Sequence, residues 1–128
     1  PLPPMWGLEP RERALARQVE RIVEQRLLNP LIAYVHATRS PTGRPSNEHV
    51  AQWACAEWPA ALLYLDNLLA DGREFLMGDH VSVADCTLAA TLQFARFNKT
   101  DLLHGLDALT HWDGQYRERA VARMVLSL

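Results

Sequence analysis

A chain of 128 residues with 48% hydrophobic positions can bury the core of one domain, and a charged fraction of 22% sets it apart from disordered sequences. Thirteen basic against fifteen acidic residues leave a net charge of −2, so nothing in the balance points to nucleic acid or an anionic membrane as a partner. No apolar run approaches the ~20 residues that span a bilayer, no secretory leader is visible, and a cytoplasmic protein is expected.

The opening PLPPMWGL is Pro-rich, so residues 1–8 read as a linker from a missing upstream domain and residues 9–128 as a helical domain. From Glu9 to about Thr38 apolar residues recur at Leu15, Val19, Ile22, Val23, Leu27, Leu31 and Tyr34, mostly in steps of three and four, which predicts one helix face. Pro10 suits the first turn, and Pro30 should kink or break the helix. Tyr34 belongs with the core stripe. The segment RSPTGRPSNEH, residues 39–49, is a loop. A second helix is expected from near Ser46 to about Ala70, burying Val50, Trp53, Ala54, Ala61, Leu62, Leu65, Leu68 and Leu69, bent near Trp58 by Pro59 and stopped by Asp71-Gly72. Cys55 and Cys86 fall in apolar helical patterns and are expected to be buried, reduced core residues, with a disulfide as the alternative.

The next stretch, GDHVSVADCTLAA, places His80, Ser82 and Asp85 close together, the residue types of a hydrolase triad. The spacing favours a capping box: Ser82 at the N-cap, Asp85 at N3, and a hydrophobic staple between Val81 and Cys86. A triad would need a strained nucleophile turn and a separate oxyanion donor. The helix so opened runs from Val83 to about Asn98 and is apolar on several sides (Leu88, Ala89, Ala90, Leu92, Phe94, Ala95, Phe97), which belongs at the centre of a bundle. A short helix is expected around residues 102–106. The last one should start at Thr110, where THWD forms a second Thr110–Asp113 box, and run towards Met124. The fold class is all-α: five helices around a central N-capped helix.

Chemistry is hard to find. The five histidines (His36, His49, His80, His104, His111) form no H-E-x-x-H pair, so no metal site is expected. There is no phosphate loop and no G-x-S-x-G elbow, and no residue is assigned a catalytic role.

The order FLMGDHVSVADCTLAA resembles the signature of the C-terminal, all-helical domain of glutathione transferases, through Gly78, Asp79, Val81, Ser82, Ala84, Asp85 and Leu88. The resemblance implies that catalysis lies elsewhere. In that family a Ser, Tyr or Cys of a thioredoxin-like N-terminal domain activates the thiol of glutathione, the co-substrate, which binds chiefly there. The helical domain supplies one wall of the electrophile pocket and part of the interface of a homodimer. This fragment alone would bind no cofactor and conjugate nothing. Aligned on Asn29-Pro30-Leu31, the resemblance implies Gln25, Arg26 and Asn29 as substrate-binding residues, and Phe94, nine positions after Asp85, as an aromatic of the same wall. One departure stands out: Arg119-Ala120 occupies the place of a common Arg-Pro pair. The alternative is a non-catalytic relative, since similar domains act as assembly modules in translation factors, aminoacyl-tRNA synthetases and a starvation regulator that binds RNA polymerase. An unrelated bundle with coincidental capping boxes is the third reading.

Overall fold

The computed structural model describes residues 4–126, and these form helices without a β-strand; pairing of that kind is limited to one bridge between Phe75 and Gly78. The first helical rod consists of α1 (Pro10–Val23), a π-helical turn (Glu24–Leu28) and α2 (Asn29–Arg39) in direct succession. Five of its buried side chains, Val19, Val23, Leu27, Leu31 and Val35, are spaced by four, with Ala16 buried three positions before them. Four α-helical residues overshoot a full turn by about 40°, so this spacing would rotate the stripe out of the core within a few turns. The wider π turn removes part of that drift. It also accommodates Pro30: the Asn29 amide bonds the Glu24 carbonyl, five residues back, and the rod continues through the proline without a break.

After a loop, α3 (Glu48–Leu69) packs along α2, its start capped by Asn47 Oδ1 on the Val50 amide at 3.1 Å. It is uninterrupted at Pro59, which lies on the exposed side together with Cys55. The buried stripe is Ala54, Ala61, Leu62, Leu65 and Leu69. Trp53 is half-exposed, and Val50 and Leu68 are only partly buried. The expected burial of Cys55 is also corrected: its thiol is free and exposed, because it lies on the outward side of α3 with Pro59, away from the Ala54–Ala61–Leu65 stripe. Cys86 is free and half-buried.

The central helix is α4 (Val83–Phe97), packed along α1. Its inner face, from Ala84 through Leu88, Ala89 and Leu92 to Ala95, joins the core, but Ala90 and Phe97 face solvent, Phe97 at 72% exposure. The helix ends in a Schellman motif, with the Thr100 amide on the Ala95 carbonyl and the Lys99 amide on that of Arg96, both at 2.9 Å. This forces Lys99 to φ +54°, a left-handed conformation unfavourable for a residue with a Cβ. Lys99→Gly is therefore expected to stabilise the fold by about 0.5–1 kcal/mol, seen as a melting temperature higher by roughly 2–4 °C. A lower melting temperature would mean that the Lys99 side chain contributes more than its backbone strain removes.

The final helices differ from expectation. No helix forms at residues 102–106; α5 (Asp107–Glu118) begins instead at the end of that turn, and α6 (Ala120–Val125) follows after a break at Arg119, whose ψ of 137° is extended. Thr110 does not cap. It sits exposed in the second turn of α5, and the Leu109 amide is capped by Asp66 Oδ1 of α3 at 2.9 Å. The carboxylate expected in that box, Asp113, pairs with Arg96 of α4 in the partly buried layer between the two helices.

Residues 5–9 lie against α1 and the start of α4. The amide of Val83, the first residue of α4, donates to the Met5 carbonyl at 3.1 Å, which satisfies one of the donors a helix start leaves open. Glu12 Oε2 accepts the Leu8 and Glu9 amides at 2.9 and 3.2 Å, and Arg17 stacks on Trp6 at 5.2 Å. Gly7 makes the turn possible at φ +88°; a Cβ there would stand 2.6 Å from Glu12 Cβ.

Candidate functional site

The start of α4 is a structural hub. The capping box closes in both directions: the Ser82 side chain accepts from the N3 backbone and Asp85 accepts from the Ser82 amide. Asp85 is fully buried, and four donors converge on its two oxygens. Oδ2 takes the Ser82 amide and hydroxyl, each at 2.8 Å. Oδ1 takes the Leu76 amide at 2.9 Å and the Trp112 indole N–H at 3.2 Å. One carboxylate thus joins the cap of α4, the loop before it and α5. That loop is held from its other side as well, because Arg73 donates to the Leu76 carbonyl at 3.1 Å while gripping Asp71, whose carboxyl it lowers to about 2.

A triad does not form here. The Ser82 hydroxyl points at Asp85, and the His80 imidazole faces the Asp79 carboxylate at 3.0 Å. The hydrogen bond from His80 holds Asp79 below the usual carboxylate range. Val81 is half-buried against the core and Cys86 half-buried beside Tyr116. Tyr116 gives no nucleophile or acid either. Burial first, and its hydrogen bond to Cys86 Sγ second, push the phenol up to about 12, so it stays neutral at physiological pH. Activating a thiol would call for the opposite shift. Among the described residues no group of three His, Cys, Asp or Glu could hold a metal ion, and no helix is long and apolar enough to cross a membrane.

The four wall candidates lie apart from this hub. Gln25 and Arg26 sit within the π turn, Asn29 follows it, and all three are exposed. Arg26 Nη1 reaches Glu57 Oε2 of α3 at 3.3 Å, a partner 31 residues away that no local pattern announces. Phe94 is half-buried against the core on α4, and α4 packs beside α1 and the π turn. Tyr34 is half-buried and meets Trp58 edge-on, with ring centroids 5.3 Å apart. None of the four candidates lines the concavities beside residues 5–8, under the 44–47 loop or at the end of α4. They offer a surface rather than an enclosed pocket. The π turn itself went unpredicted, although the unbroken spacing by four from Val19 to Val35 was its signal in the sequence.

A helical rod packed along a central helix, whose start is tied through one buried carboxylate, defines an all-helical domain among the described residues. A family model described as "Glutathione S-transferase, C-terminal domain" matches residues 12–112, and the chain belongs to that family. Glutathione S-transferase 2 of Saccharomyces cerevisiae is 28% identical over 98% of this chain and 55% of its own length. The crystal structure of a glutathione S-transferase domain-containing protein from Marinobacter aquaeolei is similar at 32% identity, with a TM-score of 0.79 over 92% of this chain and 59% of that one. Gtt2 from S. cerevisiae superposes with a TM-score of 0.84 at 26% identity, over 95% of this chain and 60% of that one. The chain thus spans about half the length of the curated relative it matches.

Proposed function

We propose that this chain is the electrophile-side half of a glutathione transferase, preceded by a thioredoxin-like domain through residues 1–8. In the intact protein that upstream domain would bind glutathione and lower the thiol pKa, while the helical half holds the electrophile within attack distance. The observation that carries this reading is the π turn at Glu24–Leu28, a local departure from α-helical geometry of the kind frequent at functional sites. It splays Gln25, Arg26 and Asn29 outward on the rod that α4, with Phe94, packs against. The half-exposed Trp53, Leu63 and Tyr64 on α3 supply an apolar surface for the homodimer contact. The match to the family model does not favour the assembly-module alternative.

The test uses the longer protein that carries this chain. It should be retained on immobilised glutathione and conjugate an aryl halide, while residues 1–128 alone should not. Arg26→Gln in that protein should lower kcat/KM for the electrophile by about tenfold, equivalent to ~1.4 kcal/mol of transition-state stabilisation, with KM for glutathione unchanged. Its melting temperature should barely move, because an ion pair this exposed contributes at most about 1 kcal/mol. Absence of both retention and turnover would turn the reading to the assembly module.

A further inference from the structure

We infer that the concavity at the end of α4 binds a free apolar α-amino acid, with Lys99 receiving its carboxylate and Asp101 its ammonium. Leu92, Ala95, Arg96 and Lys99, one face of the last turns of α4, form one side, and residues 100–103 form the other. Leu92, Ala95 and Leu102 are buried and make an apolar floor, while Lys99 and Asp101 stand exposed at the rim. The volume is about 310 Å³, at the lower end of the ~300–1,000 Å³ span of small-molecule sites, which suits a molecule of amino-acid size.

Lys99 and Asp101 are two residues apart, yet among the described residues neither is in an ion pair. Asp101 Oδ1 accepts the Leu103 amide at 3.0 Å, which fixes the carboxylate and leaves Oδ2 for a second donor. Arg96, the other cation of the lining, is already neutralised by Asp113. Arg39 Nη2 donates to Thr100 Oγ1 at 3.0 Å and ties the rim to α2. Among the described residues Lys99 alone, glycines apart, has a positive φ. Backbone strain of this kind collects at ligand clamps, where the side chain it places has a use that glycine could not serve. An ammonium and a carboxylate held unpaired at one rim match a carboxylate and an ammonium on one carbon, above a floor that takes the apolar side chain. The end of a peptide carries only one of those two charges. Gln25, Arg26, Asn29 and Phe94 lie outside this concavity, so the inference does not rest on the transferase reading.

L-Leucine tests the assignment in the longer protein that carries this chain, by calorimetry and by the methyl shifts of Leu92 and Leu102. Two analogues each lack one charge: L-leucinamide keeps the ammonium, and 4-methylpentanoate keeps the carboxylate. Leucine should saturate one site, move both sets of methyls, and bind about fivefold more tightly than either analogue. Asp101→Asn retains an oxygen for the Leu103 amide and should remove the advantage over 4-methylpentanoate. Lys99→Gly should remove the advantage over leucinamide while the melting temperature rises, a combination that a purely structural Lys99 would not give. Should Lys99→Gly lower the melting temperature instead, Asp101→Asn alone decides. Equal affinity for leucine and either analogue would overturn the proposal, as would unchanged leucine affinity in a folded variant, shifts confined to residues away from the end of α4, or no saturation.

Discussion

Asp85→Asn is expected to destabilise the protein by about 3 kcal/mol, more than the ~1 kcal/mol typical of a lost helix cap. The reason lies in the number of donors. Asp85 presents two oxygens to four of them, and asparagine keeps only one oxygen. Its NH₂ group must then face either the Ser82 amide and hydroxyl or the Leu76 amide and Trp112 indole. Facing Leu76 and Trp112, it opposes two buried N–H donors. Facing Ser82, it opposes the amide, while the hydroxyl can turn to accept. Either orientation strips a fully buried donor of its acceptor. Asp85→Ala should cost about as much, since it removes all four bonds but no longer opposes donor to donor. Ser82→Ala, which removes one hydroxyl, should cost only ~1 kcal/mol. Urea denaturation followed by the fluorescence of the protein reads all three, as midpoints at an unchanged m-value. An Asp85→Asn protein as stable as the parent would show that the carboxylate is a cap and nothing more. The double change Asp85→Asn with Trp112→Phe isolates the indole contribution, because removing both partners should recover part of the loss.

Two motifs of the same type, Ser82-x-x-Asp85 and Thr110-x-x-Asp113, mark how far local reading reaches. The first closes, because the chain before it arrives extended, with Ser82 at φ −121° and ψ 171°, and Gly78 at φ +123° completes the turn that delivers it. The second does not close: α5 starts earlier, at Asp107, with Asp66, 43 residues away, capping the Leu109 amide, while the Thr110 hydroxyl donates to the Leu103 carbonyl and Asp113 is taken by Arg96. Sequence spacing carries no information about a cap delivered by another helix. The same limit explains Cys55, Trp53 and Phe97, which fit apolar helical patterns but face outward. Composition marks a residue as able to enter the core, and only the packing of neighbours decides whether it does. The long rod, the loop after it and the central helix were legible because their hydrophobic spacing and end signals are local. For the wall candidates only the positions on the rod were legible. Nothing in the residues themselves distinguishes Arg26 as a substrate contact from Arg26 as the partner of Glu57.

Asp113→Leu should cost about 2–3 kcal/mol, and adding Arg96→Met should restore most of it. Arg96 and Asp113 cross between α4 and α5 with side chains only 24% and 10% exposed. Ions drawn that far from water gain little net stability from each other, because desolvation offsets most of their attraction. Removing one partner alone is different, since the other stays behind as a buried charge. The Arg96 Nη1 nitrogen already lacks a hydrogen-bond partner, so without Asp113 the guanidinium would have little left to satisfy it. Complete burial would put the loss near ~3–5 kcal/mol; water reaching Arg96 from the open side brings it down. An apolar pair of similar volume leaves no charge to solvate and extends the core formed by Leu92, Leu109 and Trp112. Denaturation midpoints of the two single variants and the double variant separate the possibilities. If the double variant were no more stable than Asp113→Leu, the pair itself would be holding α5 against α4. If Asp113→Leu cost less than about 0.5 kcal/mol, water would already be replacing the carboxylate, and the contact would behave as a surface ion pair.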